Sequence, residues 1–321
     1  MPDEARKWTD RQLTIMENRI RKTYTQAQSE IQEKWEGYMS RASGRITELY
    51  DRWQADGTKE SKEAYQQAVR NYTLQNKYYK DMVDSVTTEL ANVNQTAVAY
   101  LNDQMPSIYR VNFNQGAKDA KAVGMAFATR SEATIARMIK DNNIKLPKKK
   151  VQIPKDKRWN TKQLNSSVLQ GILQGEPMTA ISKRILPIVD NNRAAAVRNA
   201  RTMVTGAENR GRLDSYKQME SDGIISKKVW LATADGHTRD WHLSMDGQEV
   251  GLDEYFIDGN GNELEYPGDP GGEPSSVYNC RCSMVTHITG IRRKDGSIKQ
   301  VDYQPYSSLH EQQIREEKER R

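Results

Sequence analysis

The stretch GIISKKVWLATADG, residues 223–236, marks the point at which the periodicity of this chain changes. Small and apolar residues recur at helical spacing before Gly223, whereas Val229-Trp230-Leu231 is a short run of β-type residues. Asp235-Gly236 then predicts a tight turn. The stretch therefore predicts a mainly helical chain up to Gly223 and a small domain with strands after it.

The small domain is expected to consist of short strands and long loops. Asp246-Gly247 predicts a second turn, and residues 256–276 (FIDGNGNELEYPGDPGGEPSS) are too rich in Gly, Pro, Asp and Asn for a regular element. Residues 277–288 (VYNCRCSMVTHI) have the composition of a closing strand. Together these segments predict a compact α+β unit.

Two long amphipathic patterns precede it. Thr9-Asp10-Arg11-Gln12 matches a capping box, and apolar residues then recur every three or four positions from Leu13 to Tyr38. Asp56-Gly57 offers a turn, and a second such pattern runs from Tyr65 to Leu90. We expect two antiparallel helices, interrupted afterwards by Pro106 and by residues 111–120 (VNFNQGAKDA).

These patterns predict an α+β fold: a long N-terminal α-helical hairpin or bundle, a helical connector, and a small C-terminal domain with short strands and long loops. The expected segments are a helical partner-docking region at 1–140, a linker at 141–160, the α+β domain with its connector at 161–290, and a charged tail at 291–321.

The linker, DNNIKLPKKKVQIPKDKRWN, carries the densest basic cluster. Pro147 and Pro154 oppose a helix, so we expect exposed, extended backbone. The cluster is either a solvated hinge or a contact for nucleic-acid phosphates, which require only cations within reach. The predicted DNA-binding residues are Lys148, Lys149, Lys150, Lys155, Lys157 and Arg158.

The bulk composition narrows the class of protein. The net charge of +6 over 321 residues is a mild bias, so local clusters decide the partners. Tyr and Trp, at 15 and 6 residues against 3 Phe, suit half-buried interface positions. Because there is no run of about 18 apolar residues, we expect no membrane partner.

The only two cysteines, Cys280 and Cys282, stand in one Cys-x-Cys unit. On a strand their side chains would point to the same face, and a disulfide between them would be strained. They are either an ordinary packed pair or two ligands of a Zn²⁺ ion. His242 is the best further ligand in the same small domain, with Asp240 as an oxygen donor.

Two kinds of enzyme use the same residue types. A Cys–His–Asp set would perform acyl transfer, but the spacing supplies neither an activating helix N-terminus nor an oxyanion hole. A metal-dependent nuclease or hydrolase would use His242 with Asp235, Asp240 and Asp246. Those aspartates stand mostly in Asp-Gly turns, where Asp is common for backbone reasons alone. We therefore expect a non-enzymatic protein, with the nuclease as the alternative.

Three blocks in this order resemble the phage Mu protein F-like head morphogenesis family: ARTMVTGAENRGRLDSY, KKVWLATADGHTRDWHLSMDGQEV and YPGDPGGEPSSVYNCRC. The resemblance covers roughly residues 160–287, and the three blocks together are specific. The family-motif positions are Arg201, Trp230, Asp235, Arg239, Asp246, Gly247, Asn279 and Arg281, with Cys280, Cys282 and His242.

The resemblance implies a minor capsid protein of a tailed phage that acts in procapsid assembly and head morphogenesis. It implies association with the portal, contact with double-stranded DNA, and a role in DNA packaging or delivery. A scaffold or major capsid protein is a further expected partner. The expected location is the virion interior, with the host cytoplasm during assembly.

Overall fold

The computed structural model describes residues 3–42, 44–147 and 153–320. The helices are α1 (Glu4–Met39), α2 (Gly44–Asp56), α3 (Lys59–Tyr72), α4 (Lys77–Ala122), α5 (Glu132–Lys140), α6 (Ile153–Gln174), α7 (Met178–Lys183), α8 (Leu186–Ser221), α9 (Asp240–Leu243), α10 (Pro274–Val277) and α11 (Tyr306–Arg320). The strands are β1 (Ile224–Leu231), β2 (Glu249–Val250), β3 (Phe256–Ile257), β4 (Glu263–Leu264), β5 (Ser283–Arg292) and β6 (Ile298–Tyr303). The predicted α+β class, helices first and a small sheet region last, is confirmed.

The chain forms two compact units that are interleaved along the sequence. The sheet unit comprises residues 1–17, 100–149 and 198–321, and the helical unit comprises residues 18–99 and 150–197. The unit boundaries fall inside α1, α4 and α8, so each of these helices supplies residues to both units. The functional division into the four segments expected from the sequence stays a prediction.

The helical unit is built around aromatic side chains. Trp35 of α1 meets Tyr79 of α4 edge to face, with 5.8 Å between ring centroids. Tyr38 and Tyr72 stack, and each hydroxyl donates a hydrogen bond to the other's carbonyl oxygen, at 3.1 and 2.8 Å. The predicted turn at Gly57, which has φ of 63°, joins α2 to α3. Two short helices therefore stand between α1 and α4, where the sequence predicted a simple hairpin.

The start of α1 lies earlier than predicted. Asp3 caps the helix, because its Oδ1 accepts the backbone N–H of Arg6 at 2.9 Å. The hydroxyl of Thr9, the expected cap, lies inside the helix and donates to the carbonyl oxygen of Ala5 at 2.9 Å. Asp3 also pairs with the buried side chain of Arg212 at 2.6 Å, which makes this earlier start favourable.

The expected break at Pro106 is wrong, because α4 continues through it and through residues 111–120. A proline inside a helix loses one hydrogen bond and costs roughly 3 kcal/mol. Four large apolar side chains around it, Leu101, Met105, Ile108 and Tyr109, are almost fully buried. Each contributes on the order of 2 kcal/mol, so packing outweighs the local cost.

The extended linker expected through residue 160 is also wrong from Ile153 onward, where α6 begins. Pro154 stands in the first turn, where a helix needs no backbone N–H donor. Leu164, Val168 and Ile172 of α6 are buried in the core of the helical unit, which explains why this segment is helical. Lys148, Lys149 and Lys150 lie outside the described residues.

The sheet unit carries an antiparallel sheet of order β2-β1-β5-β6 and a separate two-stranded ribbon, β3-β4. β1 and β5 form the centre, with Val229 opposite Val285 and Trp230 opposite Met284. Leu213, Tyr216 and Met219 of α8 share a core cluster with the sheet. Gly223, at φ of 89°, makes the turn from α8 into β1. Among the described residues, no helix has the length and apolarity that a bilayer crossing requires.

Candidate metal centre and its support

His242, Cys280 and Cys282 come together inside the sheet unit. His242 stands on the single turn of α9, and the two cysteines lie between α10 and β5. Nδ1 of His242 is 3.6 Å from Sγ of Cys280 and 3.7 Å from Sγ of Cys282. All three side chains are buried, and their potential ligand atoms lie within 4.8 Å of one another. The sequence prediction that these three residues meet is thus in agreement with the geometry.

The cysteines converge for a different reason from the one expected. β5 begins only at Ser283, so Cys280 and Cys282 are not strand residues. Asn279, at φ of 60°, turns the chain after α10, and the backbone N–H of Cys282 then donates to Sγ of Cys280 at 3.4 Å. A compact turn, and not the two-residue period of a strand, brings both sulfur atoms to His242.

The distances from Nδ1 of His242 to the two sulfur atoms suit a tetrahedral zinc ion. Bonds of about 2.3 Å to sulfur and 2.05 Å to nitrogen, at a tetrahedral angle, separate N and S by about 3.6 Å. The two N–S distances match that edge, and two Cys with one His is an established donor set for zinc. The three side chains can therefore hold a metal such as zinc. Asp240, the fourth predicted ligand, is exposed on α9 and lies outside this group.

The two neighbouring thiols shift each other's pKa in opposite directions. The hydrogen bond between them lowers the pKa of Cys282 well below its usual value, with a further contribution from His242. The same bond raises the pKa of Cys280, as does burial. One thiolate is thus favoured next to Nδ1 of His242, and a thiolate is the form that binds a metal.

Polar side chains of α8 hold the cysteine segment through its backbone. Thr205 donates from its hydroxyl to the carbonyl oxygen of Cys280 at 2.6 Å. Asn209, which is completely buried, donates to the carbonyl oxygens of Cys282 and Pro267, each at 3.2 Å, and accepts the N–H of Met284 at 3.0 Å. The helix thus fixes both the cysteine segment and the loop before it.

Sequence reasoning missed Thr205, Glu208 and Asn209. The hydroxyl of Ser283 donates to Oε1 of Glu208 at 2.8 Å, so Glu208 and Asn209 support the start of β5, while Thr205 holds Cys280. A signal was present, because Thr202, Thr205 and Asn209 recur every three or four residues on one face of a small-residue helix. A buried polar stripe of this kind needs hydrogen-bond partners elsewhere in the chain.

The motif residue Arg201 connects the N-terminal helix to the cysteine turn. Its Nε and NH2 groups pair with the Glu17 carboxylate at 2.6 and 3.3 Å, and its NH1 donates to Oδ1 of Asn279 at 3.3 Å. The backbone N–H of Asn279 in turn donates to the hydroxyl of Thr202 at 2.9 Å. The left-handed conformation of Asn279 is therefore held from both its side chain and its backbone.

The aspartates of the predicted nuclease site do not converge. Asp235 pairs with Arg281, at 2.5 and 3.0 Å, while Asp246 accepts the backbone N–H of Ala232 at 2.8 Å and faces His310 at 3.0 Å. Burial acts to raise the pKa of Asp235, but the N–H of His237 and the Arg281 guanidinium together lower it. Within the described residues, the metal-type group contains His242 and the cysteines without these acids.

The remaining motif positions make packing and hydrogen-bond contacts within the sheet unit. Trp230 is buried, and its ring meets that of His242 edge to face at 5.7 Å. Arg239 donates to the carbonyl oxygen of Tyr278, and Gly247, at φ of 77°, donates its N–H to the carbonyl oxygen of Trp230 at 2.9 Å. Each of these contacts positions the segments that carry His242 or the cysteines.

Backbone contact between two glycines brings the loop of residues 256–276 against α8. A Cβ on Gly268, which has φ of 79°, would lie 2.7 Å from the backbone nitrogen of Gly206 on α8. A Cβ on Gly206 would lie 2.8 Å from the carbonyl oxygen of Gly268. The loop of residues 256–276 can therefore approach α8 only because both residues lack a side chain.

Of the predicted DNA-binding cations, two have described side chains. Lys157 forms an ion pair with Asp84 at 2.6 Å, and Arg158 is exposed on α6. The side chain of Lys155 lies outside the described part. The predicted role of this cluster in DNA binding stays a prediction.

Comparisons with known proteins found similarity over the part of the chain that contains these motif positions. The family described as "Phage Mu protein F like protein" matches residues 162–285. The minor head protein GP7 of Bacillus phage SPP1 is 24% identical over 324 residues, covering 97% of this chain and 96% of that protein. An NAD(+)–arginine ADP-ribosyltransferase, EFV, of Enterococcus faecalis is 30% identical over 157 residues, covering 48% of this chain. The chain spans about a third of the length of that transferase, at 32%. No solved structure matches the chain.

Proposed function

We propose that this chain is a minor head protein of the phage Mu protein F-like family, and that it associates with the portal and contacts the packaged DNA. The observation that carries the proposal is the similarity to the SPP1 minor head protein over 97% of this chain. A shared order of segments along nearly the whole length favours a shared role in the head more than a similarity of one domain would. The proposed location is the interior of the procapsid and virion, reached from the host cytoplasm during assembly.

Docking on the portal, or on a scaffold or major capsid protein, is assigned to the helical unit. Large apolar side chains are exposed there: Tyr78 at 74%, Leu173 at 57% and Trp159 at 43%. Such residues lose contact with water when a partner covers them, and Tyr and Trp are frequent at the centres of protein interfaces. These exposed side chains support a partner contact in the helical unit, and the co-assembly experiment identifies the partner.

Co-assembly tests the proposal directly. The chain would be produced with its phage's portal, scaffold and major capsid proteins, and procapsids would be purified by sedimentation. We expect a few copies per procapsid, and we expect the chain to remain with isolated portal after the shell is dissociated. Tyr78→Ala combined with Leu173→Ala should weaken that retention, whereas the exposed control Tyr255→Ala in the sheet unit should not. Absence of the chain from procapsids would refute the proposal.

A structural role fits the site better than catalysis. Among the residues that the structure describes, no carboxylate joins the His242 group, and its sulfur and nitrogen atoms are buried, so a substrate has no access from solvent to a metal held there. We propose that a zinc ion bound there stabilises the fold, as in structural zinc sites. The enzymatic activity in the name of EFV is a property of that longer protein, and we do not extend it to this chain.

The nuclease alternative has a clear test. Purified protein with Mg²⁺ or Zn²⁺ should leave linear and supercoiled duplex DNA intact over hours. If DNA were cleaved, and His242→Ala abolished cleavage while the circular dichroism spectrum stayed unchanged, the structural assignment would be wrong.

A further inference from the structure

The β5–β6 hairpin ends in a cluster of cations that sequence analysis passed over as part of the charged tail. We define residues 291–300, IRRKDGSIKQ, as the basic hairpin. It carries four cations and one acid, and residues 292–300 are all exposed. The cations are Arg292, Arg293, Lys294 and Lys299. Ten residues thus hold a net charge of +3, half of the net charge of the chain.

The single acid of the basic hairpin, Asp295, forms its hydrogen bonds within the turn. Oδ1 of Asp295 accepts the backbone N–H of Ser297 at 2.9 Å and its hydroxyl at 2.7 Å. These hydrogen bonds lower the pKa of Asp295, so it stays ionised in its role as a turn residue. Gly296, at φ of 84°, completes the turn, and the N–H of Arg293 donates to the carbonyl oxygen of Ser297 at 2.8 Å. The tip therefore has a defined backbone conformation.

The cations are available to a partner. Throughout the described ranges, none of the four lies within salt-bridge distance of a carboxylate. Other cations of the same sheet are paired, as Lys227 is with Glu249 at 3.0 Å. A cluster of exposed cations without internal counterions repels itself, and a polyanion would relieve that repulsion.

The cations project from both faces of the ribbon. Arg292 lies opposite Ile298, and Ile291 lies opposite Lys299. Because successive side chains of a strand alternate between faces, Arg292 points to one face, and Arg293 and Lys299 point to the other. Lys294 stands at the tip. A flat anionic surface would meet only one of these faces, whereas the walls of a groove would meet both.

The base of the hairpin is held firmly. The backbone N–H of Arg292 donates to the carbonyl oxygen of Gly223 at 2.7 Å, at the end of α8. On β6, the hydroxyl of Tyr303 donates to Asp119 of α4 at 3.2 Å, and Val301 packs against the core of the sheet unit. A rigid base with an exposed tip avoids much of the ordering cost of binding.

We propose that the basic hairpin is a contact for the phosphates of duplex DNA, entering a groove with cations directed to both walls. The major groove, about 12 Å wide, admits a two-stranded β-ribbon. Phosphate contacts need only cations within reach and carry no sequence information, as suits packaged DNA of any sequence. This inference rests on the proposed DNA contact and assigns that contact to a site in the sheet unit.

The test compares two triple variants that lose the same charge. One is Arg293→Gln, Lys294→Gln and Lys299→Gln in the hairpin. The control is Lys22→Gln, Lys77→Gln and Lys80→Gln, which removes three exposed lysines of the helical unit. Binding of the full chain to a fluorescent 30-base-pair duplex would be measured by anisotropy from about 50 to 200 mM salt. Circular dichroism of each variant checks that it is folded.

We expect the slope of log affinity against log salt to fall by about 2 to 3 for the hairpin variant, since each lost phosphate contact removes about 0.9. Affinity at the lowest salt should fall at least tenfold. The control should change the slope by less than 1. Equal losses in both variants would mean that net charge alone drives binding, and an unchanged slope in the hairpin variant would also overturn the inference. If the wild-type chain fails to bind duplex DNA at all, the proposed DNA contact itself is refuted.

Discussion

The buried amide of Asn209 donates a hydrogen bond to the carbonyl oxygen of Cys282 across 73 residues of sequence, at 3.2 Å. This bond joins α8 to the segment that carries both cysteines, so the geometry around His242 depends on a residue that is not itself a ligand. Buried amides with all their partners in place specify one arrangement of the chain, because any slip leaves polar groups without partners.

Asn209→Ala should therefore destabilise the protein strongly. The substitution leaves the carbonyl oxygens of Cys282 and Pro267 and the N–H of Met284 without this partner. We expect a loss of about 2–4 kcal/mol in the free energy of unfolding, measured with urea. Asn260→Ala, at an exposed loop position, is the control and should stay within about 0.5 kcal/mol of wild type. Equal stability of the two variants would contradict the role given to Asn209.

Zinc binding gives the second prediction. Protein purified without chelator should contain about one zinc per chain by elemental analysis, because the three buried side chains form one zinc-binding group. Removal of the metal should lower Tm by several degrees, because an ion that binds only the folded state stabilises it. Cys282→Ser should lose the zinc and become insensitive to chelator.

Asp240→Asn is the matched control for the metal site. Asp240 is exposed and lies outside the His242 group, so this variant should retain zinc and its response to chelator. Loss of zinc in Asp240→Asn would show that the aspartate is a ligand after all. Wild-type protein that contains no metal and does not respond to chelator would exclude the zinc site.

The third prediction concerns pH. Burial raises the pKa of Glu208 to about 7, despite Arg212 nearby, from 4.5 for an ordinary glutamate. Between pH 4.5 and 7 the folded state therefore keeps a proton on Glu208 that the unfolded state has lost. The stabilisation that this proton provides is complete below pH 4.5 and is lost as pH rises through 7. In Glu208→Gln the side chain does not titrate. The stability of this variant relative to wild type should therefore rise between pH 4.5 and 7, by about 3 kcal/mol at most.

Urea unfolding of both proteins at several pH values measures that difference, and other titrating groups cancel from it. Glu63→Gln, at an exposed position of α3, serves as the control and should show a flat difference. A difference that falls with rising pH would mean that Arg212 dominates and that Glu208 is ionised in the folded protein.

The glycine contact gives the fourth prediction. Gly268→Ala combines a left-handed backbone with a Cβ 2.7 Å from the nitrogen of Gly206, whereas Gly261→Ala has φ of 81° and nothing within 4 Å. The second variant should cost about 1 kcal/mol from backbone conformation alone. The first should cost about 2–4 kcal/mol, since the loop must also move away from α8. Thermal unfolding compares them, and equal costs would exclude the close approach.

Much of the local structure was accessible from the sequence. The turn at Gly57, the end of α8 before Gly223 and the strand centred on Trp230 follow from glycine conformation and from β-type composition, which act over a few residues. The three motif blocks indicated a resemblance to the family whose model matches residues 162–285, and His242, Cys280 and Cys282 were selected by residue chemistry. These inferences required no knowledge of distant contacts.

Errors arose wherever distant packing outweighed a local preference. Pro106 stands inside α4 because the burial of neighbouring side chains offsets the hydrogen bond that proline removes. Pro154 stands in the first turn of α6, where a helix needs no backbone N–H donor. Thr9 lost its expected capping role because Asp3 has a buried partner, Arg212, at 2.6 Å. The cysteines converge through the turn at Asn279 and not through a strand.

The sequence by itself determined the α+β class, the resemblance to a family and the donor atoms at 242, 280 and 282, since periodicity, turn chemistry and side-chain type are properties of short segments. Only the tertiary structure decided that Nδ1 of His242 faces both sulfur atoms, that Asn209 holds their backbone, and that Asp235 and Asp246 are engaged elsewhere. The physical reason is that the contacts of His242 and Asn209 join residues 38 to 75 positions apart, and that each aspartate has several possible partners. Their energies depend on burial and on competing partners, which a linear pattern does not contain.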